Sequence, residues 1–313
     1  MAGLRWGILG GSSRISRRAV APAIEESERG ELVAVASRDA DASDAPYAEL
    51  LSRADVDIVY IPLPNGLHLR WVTAALAAGK HVLCEKPLGM DAAEAQSLFA
   101  AADDAGRILI EAYMTPFHPR TEAMVRILDD GALGDVRSMR SIFTFPLVQE
   151  RPADHRFDVV LGGGSSLDVG IYCTAPLLRA AGREPVAVAA SAVWEAPRCD
   201  RSLSAFYDFG DGLSGAITTS FELAPFQRLE FVGTTAALVA DWAFNPAMRA
   251  ATFDVVQLDG STATSSFGGA SAYLGMVEHV SAVVTDGATP RHGREETLAV
   301  ARTIDRARMA AAG

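Results

Sequence analysis

The sequence is short of cysteine, of long apolar runs and of positive charge, and each shortage excludes a class of protein. Its three cysteines, Cys84, Cys173 and Cys199, show no metal-ligand spacing and no even count for disulfides, which is typical of reduced thiols. No apolar run is long enough to span a bilayer, and the first residues lack the basic region and cleavage site of a signal peptide. A net charge of −11 argues against nucleic acid as a partner. We therefore expect a cytoplasmic protein that binds neither membranes nor nucleic acids and holds no metal ion.

Strand-like and helix-like segments alternate over the first third of the 313 residues. Amphipathic stretches near 15–26, 68–78 and 91–105 predict helices, and one short helix is expected at Tyr47–Ser52, within the shortened region 39–57. Such alternation predicts a parallel, doubly wound sheet of the Rossmann type, which we assign to residues 1–115. The predicted strands are Leu4–Leu9, Leu32–Ser37, Ile58–Ile61, His81–Cys84 and Ile108–Glu111.

Residues 116–313 have a different pattern, in which β-like segments follow one another with few helices between them. Consecutive strands of this kind predict a large, mainly antiparallel open sheet. Helices are expected at Ser165–Ala181, Ala272–Thr285 and Glu295–Ala311, and the Ser-, Thr- and Gly-rich stretch Ser261–Ser271 is expected to be a loop. The predicted fold class is α/β, with an N-terminal Rossmann dinucleotide-binding domain and a C-terminal α/β domain for substrate binding and oligomerisation.

A glycine-rich turn follows the first predicted strand and leads into a helix. Glycines at such a turn let backbone N–H groups approach a pyrophosphate at the positive end of the helix. The match to G-x-G-x-x-G is imperfect. Serines, which are small, stand at two positions of the turn, and their hydroxyls could add bonds to phosphate. The candidate cofactor contacts in this turn are Gly7, Gly10, Gly11, Ser12, Ser13, Arg14 and Ile15.

The pair Ser37-Arg38 comes at the end of the second predicted strand. An acidic residue there would bind the ribose 2′-hydroxyl of NAD and repel a 2′-phosphate. A hydroxyl and a guanidinium stand there instead, and a guanidinium suits a phosphate. We therefore expect NADP rather than NAD, although Asp39 and Asp41 follow closely and keep NAD open as the alternative.

Lys86 stands where the strand His81–Cys84 ends, and Pro87 follows it directly. Ligands bind beyond the carboxyl ends of strands in an open parallel sheet, so an ammonium here would lie where a substrate and a cofactor meet. Pro87 fixes φ and permits a cis bond. Further candidate cofactor contacts around this edge are Pro62, Leu63, Asn65, His68, Glu85 and Lys86 itself.

Taken in order, these motifs resemble those of the glucose–fructose oxidoreductase / inositol dehydrogenase (Gfo/Idh/MocA) family. The resemblance rests on the Gly-rich start, on Pro64-Asn65-x-x-His68, on Glu85-Lys86-Pro87 and on the segment from Gly162 to Tyr172. It covers nearly the whole chain. Within the family, the chain is most similar to the xylose dehydrogenase and dimeric dihydrodiol dehydrogenase branch. The nucleotide-sugar 3-ketoreductases also have a tyrosine at the position of Tyr172.

The resemblance implies an oxidoreductase that moves a hydride between NAD(P) and a carbohydrate, a polyol or a keto-sugar. It implies that Lys86 polarises the substrate oxygen, that Tyr172 transfers a proton, and that Asp168 orients Lys86 or binds a substrate hydroxyl. A nucleotide-sugar 3-ketoreductase and a non-catalytic NADP-binding regulatory protein remain as alternatives. The candidate substrate contacts are Arg156, Tyr113 and Phe117.

The second predicted sheet also suggests how the chain assembles. Its strands run consecutively, and an uncovered face with several aromatic residues would expose more apolar area than monomers usually do. We therefore expect a homodimer or homotetramer joined through this sheet. The aromatic residues considered are Phe143, Phe145, Trp194, Phe206 and Phe221.

Overall fold

The computed structural model of the protein describes residues 3–38, 43–195, 199–244 and 251–313. It divides into two compact units, the first made of residues 1–117 with 271–298 and the second of 118–270 with 299–313. The chain first passes from one unit to the other after Phe117, two residues beyond the predicted boundary at 115/116. Residues 271–298, however, pack with the first unit rather than the second. Bonds from residues 27–29 to this segment explain the difference, since the Ser27 hydroxyl donates to Glu278 at 2.5 Å.

Five described strands form a parallel sheet in the first unit, in the order β2-β1-β3-β4-β5. The strands are β1 (Leu4–Leu9), β2 (Gly30–Ala36), β3 (Ile58–Ile61), β4 (His81–Glu85) and β5 (Leu109–Ala112). Its helices are α1 (Ala21–Glu26, preceded by a π-helical turn at Ser16–Val20), α2 (Ala45–Ser52), α3 (His68–Ala77), α4 (Ala92–Ala105) and α8 (Ala272–Asp286).

The central strands of this sheet are buried on both faces. All four residues of β3 have no exposed surface. Parallel sheets need this cover, which explains why their strands are continuous apolar runs rather than alternating ones. The predicted Rossmann architecture is confirmed, and the short helix expected within 39–57 is α2. Asp39 and Asp41 lie outside the described residues.

Eight described strands form the sheet of the second unit, in the order β13-β12-β11-β10-β6-β9-β8-β7. Neighbouring strands are antiparallel except β6 and β9. The strands are β6 (Val136–Thr144), β7 (Ala187–Glu195), β8 (Cys199–Gly210), β9 (Leu213–Ser220), β10 (Phe226–Gly233), β11 (Ala236–Asp241), β12 (Ala251–Gln257) and β13 (Thr262–Phe267). The remaining helices are α5 (Pro119–Asp129), α6 (Leu147–Glu150), α7 (Ser165–Ala181) and α9 (Arg294–Ala312), of which α9 begins in the first unit.

The prediction that Ser261–Ser271 is a loop is wrong, because β13 occupies Thr262–Phe267. This strand pairs with β12 at the edge of the sheet, where Thr264 donates to Asp254 at 2.6 Å. An edge strand of Thr and Ser lacks the alternation of apolar residues that identifies a half-buried strand. Its composition therefore reads as a loop although its backbone is paired.

The aromatic residues of this sheet do not share one uncovered face. Phe206 is 50% exposed, as expected, but Phe221 is fully buried and the Phe143 ring lies 5.5 Å from the Tyr172 ring of α7. Helix α7 packs against β6, β8 and β9, so side chains that point toward it are covered. The Trp194 indole donates to the Ala311 carbonyl of α9 at 3.3 Å.

Candidate active site

The glycine-rich turn joins β1 to the first helical segment, which begins at Arg14. The N–H groups of Gly10 and Gly11 both donate to the Ala36 carbonyl at 2.9 Å, which fixes the turn beside the end of β2. Gly10 has a φ of +115°, a conformation that favours glycine. The Ser13 hydroxyl accepts from the Ser16 N–H at 3.1 Å and so caps the helical segment.

The glycine-rich turn packs closely against the end of β2. A Cβ at Gly11 would lie 2.2 Å from Val35 Cγ1 and 3.4 Å from the Ser37 hydroxyl, so only glycine keeps the turn this close to β2. The half-buried Ser37 and the exposed Arg38 stand at the carboxyl end of β2. The remaining predicted contacts of the turn are Gly7 inside β1, the exposed Ser12 and Arg14, and the half-buried Ser13 and Ile15.

Arg38 also reaches a neighbouring tyrosine. Burial raises the pKa of Tyr47, and Arg38, which lies within bonding distance of its hydroxyl, partly opposes that rise. The Arg38 guanidinium therefore lies beside Tyr47, next to the carboxyl end of β2. A positive group held there suits the 2′-phosphate of NADP.

The loop after β3 lies against the glycine-rich turn. A Cβ at Gly10 would be 3.0 Å from Leu63 Cδ2 and 3.3 Å from the Pro62 carbonyl oxygen. Asn65 begins a short 3-10 turn, Asn65–Leu67, that leads into α3. The structure therefore brings together the segments of Gly10, Pro62 and Leu63, three of the predicted cofactor contacts.

His68 is fully buried at the start of α3, and burial lowers its pKa. Its Nδ1 lies 2.9 Å from the Pro87 carbonyl and its Nε2 lies 2.8 Å from the Leu63 carbonyl. Both ring nitrogens thus face backbone oxygens of the protein. This geometry favours a role for His68 in holding two loops rather than a direct bond to the cofactor.

Lys86 follows β4 directly, and the peptide bond between Lys86 and Pro87 is cis. The Glu85 carboxylate accepts from the buried Tyr60 hydroxyl at 2.7 Å and from the Lys86 N–H at 3.3 Å. Burial, together with the Glu85 charge, raises the pKa of Tyr60, so its hydroxyl stays a donor. Glu85 is thereby fixed beside the backbone of Lys86.

Two of the predicted substrate contacts pack inside the first unit. Tyr113 is 4% exposed, and its ring lies 5.1 Å from that of His292. The ring of the half-buried Phe117 lies 5.2 Å from that of His279, with the Arg291 guanidinium 5.5 Å from its centre. Their role as substrate contacts stays a prediction.

In the second unit, Asp168 and Tyr172 lie one turn apart on α7. Arg156 bonds to Asp168 at 3.0 Å and to Asp154 at 3.0 Å. Burial alone would lower the pKa of Arg156, but the two carboxylates outweigh burial and raise that pKa. Arg156 is therefore a permanent cation that fixes Asp168 on the helix face that also carries Tyr172.

Aromatic rings hold the side chain of Tyr172. Its ring centre lies 5.5 Å from that of Phe143 and 5.9 Å from that of Phe244. Phe143 and Phe244 are themselves stacked at 5.6 Å. Such contacts restrict the ring while leaving its hydroxyl to polar partners.

Two buried carboxylates, Asp200 and Glu111, were not among the residues predicted from the sequence. Asp200 accepts from the Ser166 N–H and from the hydroxyls of Ser165 and Ser166 at 2.6 to 2.8 Å, and so caps α7. Glu111, at 5% exposure, accepts from the Leu88 N–H at 2.8 Å. The only available signal was Glu111 at the end of the apolar segment Ile108–Glu111, which does not reveal its partners.

The described residues contain neither a metal-binding cluster nor a membrane-spanning helix. Residues 3–38, 43–195, 199–244 and 251–313 contain no group of three or more His, Cys, Asp or Glu side chains arranged to hold a metal ion. Within the same ranges, no helix combines the length and the apolar character that crossing a membrane requires.

Comparison with known proteins agrees with this arrangement. Residues 4–113 match the model described as "Oxidoreductase family, NAD-binding Rossmann fold", and residues 121–239 match the GFO/IDH/MocA C-terminal domain. The chain therefore belongs to the Gfo/Idh/MocA family of oxidoreductases. The predicted family, fold class and enzyme class are confirmed.

Relatives with assigned activities span the whole chain. D-xylose 1-dehydrogenase (NADP(+)) 2 of Haloferax volcanii is 37% identical, over 96% of this chain and 95% of the relative. The dTDP-3,4-didehydro-2,6-dideoxy-α-D-glucose 3-reductase of Actinomadura kijaniata is 33% identical, over 98% and 96%. The crystal structure of KijD10, a 3-ketoreductase from Actinomadura kijaniata in complex with NADP and TDP-benzene, has a TM-score of 0.86 at 31% identity, over 99% of this chain and 98% of that one.

Proposed function

We propose that the protein is an NADP(H)-dependent oxidoreductase that moves a hydride between the nicotinamide and a carbohydrate, as a sugar dehydrogenase or a keto-sugar reductase. The names of the relatives, which include a D-xylose dehydrogenase for NADP and a dTDP-keto-sugar reductase, support this class. The observation that carries the proposal is Lys86 at the carboxyl end of β4, in the same Rossmann unit as the glycine-rich turn that follows β1. Ser37 and Arg38 at the end of β2 support NADP over NAD.

The proposed chemistry divides between Lys86 and Tyr172. The bound nicotinamide supplies or accepts the hydride. The Lys86 ammonium holds the substrate oxygen and stabilises negative charge as the C–H bond breaks or forms. Tyr172 takes the hydroxyl proton when an alcohol is oxidised and returns a proton to that oxygen when a ketone is reduced.

Asp168 has a supporting role in this proposal. Arg156 holds its carboxylate at 3.0 Å, one helical turn before Tyr172. We propose that Asp168 orients Lys86 or binds a substrate hydroxyl, and that Arg156 acts chiefly by fixing Asp168. Tyr113 and Phe117 remain candidate substrate contacts.

A nucleotide-sugar 3-ketoreductase is the second candidate. KijD10, described as a 3-ketoreductase, has a similar structure that covers 99% of this chain. A free sugar and a nucleotide-linked sugar differ by a diphosphate and a base, so the two candidates predict different substrates for one chemistry. A regulatory protein that binds NADP without turnover is the alternative outside enzymes.

The experiment is a substrate screen with purified protein. Free aldoses with NADP, dihydrodiols with NADP, and dTDP-linked keto-sugars with NADPH are each followed at the nicotinamide absorbance band, with NAD(H) in parallel. Turnover of either sugar class that disappears in Lys86→Ala supports the proposal and decides between the two candidates. Tight NADP(H) binding without turnover of any substrate class would favour the regulatory alternative.

We also propose a homodimer or homotetramer that works in the cytoplasm, where thiols such as Cys84 and Cys199 stay reduced. Exposed apolar side chains on the second-unit sheet support assembly through that sheet. These side chains are Val193, Phe206, Phe226 and Val232, each between 43% and 51% exposed. Light scattering at micromolar concentration tests the assembly, and a monomeric mass would contradict it.

A further inference from the structure

The segment that carries Lys86 is an irregular loop held by carboxylates. Between β4 and α4, the N–H groups of Lys86, Leu88 and Met90 donate to the side chains of three different glutamates. The three acceptors are Glu85, Glu111 and Glu94. Each acceptor is a charged group, and hydrogen bonds to charged groups are stronger than those between neutral groups.

Glu111 belongs to a different strand and connects the loop to a remote part of the chain. One carboxylate oxygen accepts from Leu88, and the other accepts from His292 Nε2 at 3.0 Å and from the Thr297 hydroxyl at 3.1 Å. Glu111 and His292 are both nearly fully buried. A buried carboxylate with three donors is costly to remove from water, and an apolar side chain would fill the same space without that cost.

His68 holds the neighbouring peptide from α3. Its Nδ1 faces the Pro87 carbonyl and its Nε2 faces the Leu63 carbonyl, and the neutral ring donates its single N–H to one of these two oxygens. The two residues after Lys86 are therefore contacted by side chains from two other elements of the first unit.

We infer that Glu111 and His68 are positioning residues that fix the backbone from which Lys86 projects. The inference rests on the catalytic role proposed for Lys86. A lysine has four flexible carbons, so its ammonium keeps a defined place only if its own backbone is fixed. A misplacement of about 1 Å at a reacting group costs roughly 100-fold in rate, which explains why a few bonds to this loop matter.

The test compares Glu111→Met with Glu111→Gln. Methionine has a similar length and no strong acceptor, whereas glutamine keeps an oxygen for the Leu88 N–H. A matched control is Lys80→Met, because the buried Lys80 ammonium donates to the Arg53 and Val56 carbonyls before β3, at the amino end of the strands and so opposite the loop of Lys86. This control removes two bonds to backbone, one of them fully buried, without touching the loop.

The first readout is amide hydrogen exchange of residues 86–90 in the protein without cofactor. We expect exchange at Leu88 to be faster by about 10- to 100-fold in Glu111→Met, since one bond to a charged acceptor is lost. Glu111→Gln and Lys80→Met should leave it within about threefold of the wild type. Unchanged exchange in Glu111→Met would overturn the inference.

The second readout is the rate. We expect kcat to fall about 10- to 100-fold in Glu111→Met, with KM changed by less than about threefold and most of the rate restored in Glu111→Gln. His68→Leu should lower kcat in the same way, and Lys80→Met should not. Equal kcat losses in Lys80→Met and Glu111→Met would show a general structural effect and overturn the inference.

The catalytic role of Lys86 and the positioning roles of Glu111 and His68 are tested separately. If Lys86→Ala keeps wild-type turnover, the catalytic role of Lys86 fails, whatever the exchange results. If Lys86→Ala loses turnover while Glu111→Met and His68→Leu keep it, the proposed function stands and the positioning role is wrong.

Discussion

The two candidate catalytic side chains are held in different ways. Lys86 stands on an irregular loop whose backbone is bonded to side chains from elsewhere in its unit. Tyr172 lies within the 17-residue helix α7, and its ring packs against Phe143 and Phe244. Position depends on a few polar bonds in the first case and on helix packing in the second. Substitutions around Lys86 should therefore affect turnover more than stability, and those around α7 should affect stability first.

The largest effect is expected when either side chain is removed. Lys86→Ala and Tyr172→Phe should each lower turnover by at least about 100-fold, the usual contribution of a positioned acid–base group. Cofactor binding should survive in both, and Tyr172→Phe keeps the ring that packs on Phe143. Steady-state rates and NADPH fluorescence titrations check these expectations. Near-normal turnover of a verified substrate in either variant would contradict the assignment.

A large effect on the free energy of unfolding is expected at the start of α7, the helix that carries Tyr172. Asp200→Ala leaves the Ser166 N–H and two buried serine hydroxyls without their acceptor, which should lower the free energy of unfolding by about 3 kcal/mol. Urea unfolding measures this change. Asp208→Ala, an exposed carboxylate of the same strand, serves as the control and should change stability by less than about 1 kcal/mol. Equal losses in the two variants would mean that Asp200 does not anchor the helix.

A smaller effect, on cofactor binding, is expected at the exposed side chain of Arg38. Arg38→Ala should weaken NADP(H) binding by about 1.5–3 kcal/mol, the range for a hydrogen bond to a charged group, and leave NAD(H) binding nearly unchanged. The matched control is Arg53→Ala, since Arg53 is also an exposed arginine of the first unit but pairs with Asp55 at 2.6 Å. Calorimetric titration with both cofactors measures the difference. Tighter binding of NAD(H) than NADP(H) by the wild type would refute the NADP preference.

The smallest effect concerns pH and His68. Burial lowers the pKa of His68 in the folded protein, so the unfolded chain binds the proton more readily than the folded one. The stability that depends on the neutral ring is present above pH of about 6.5 and decreases as the pH falls below it. His68→Leu should flatten this decrease by at most about 1.4 kcal/mol per pH unit. Urea unfolding between pH 7.5 and 5.5 compares the slopes, and identical slopes would show that His68 does not titrate as stated.

Local patterns were enough to predict most of the architecture. Continuous apolar runs such as Ile58–Ile61 became buried parallel strands, and Ser165–Ala181 has the predicted bounds. The polar edge strand β13 was missed, because pairing at a sheet edge requires no apolar alternation. Residues 271–298 were assigned to the wrong neighbours, because sequence order does not show that a later helix returns to an earlier unit.

Candidate site residues could be proposed from the sequence only where one short segment carries the signal. Glu85-Lys86-Pro87 and the glycine-rich turn are such segments. Glu111 bonds to Leu88 and to His292, and His292 is 181 positions further along the chain. Neither the burial of Glu111 nor its partners therefore follow from its neighbours in sequence. His68 was predicted to contact the cofactor, whereas both its ring nitrogens face backbone carbonyls. Long-range polar contacts of this kind depend on the completed fold.

We propose that Lys86 and Tyr172 serve one chemical step, and the turnover of the double variant shows whether they do. Groups that act as a unit lose most of their contribution when one is removed, so their losses do not multiply. We predict that Lys86→Ala/Tyr172→Phe turns over within about tenfold of the slower single variant, measured with a verified sugar substrate and NADP(H). A rate equal to the product of the two single losses would mean that the two residues act independently, and would contradict the account.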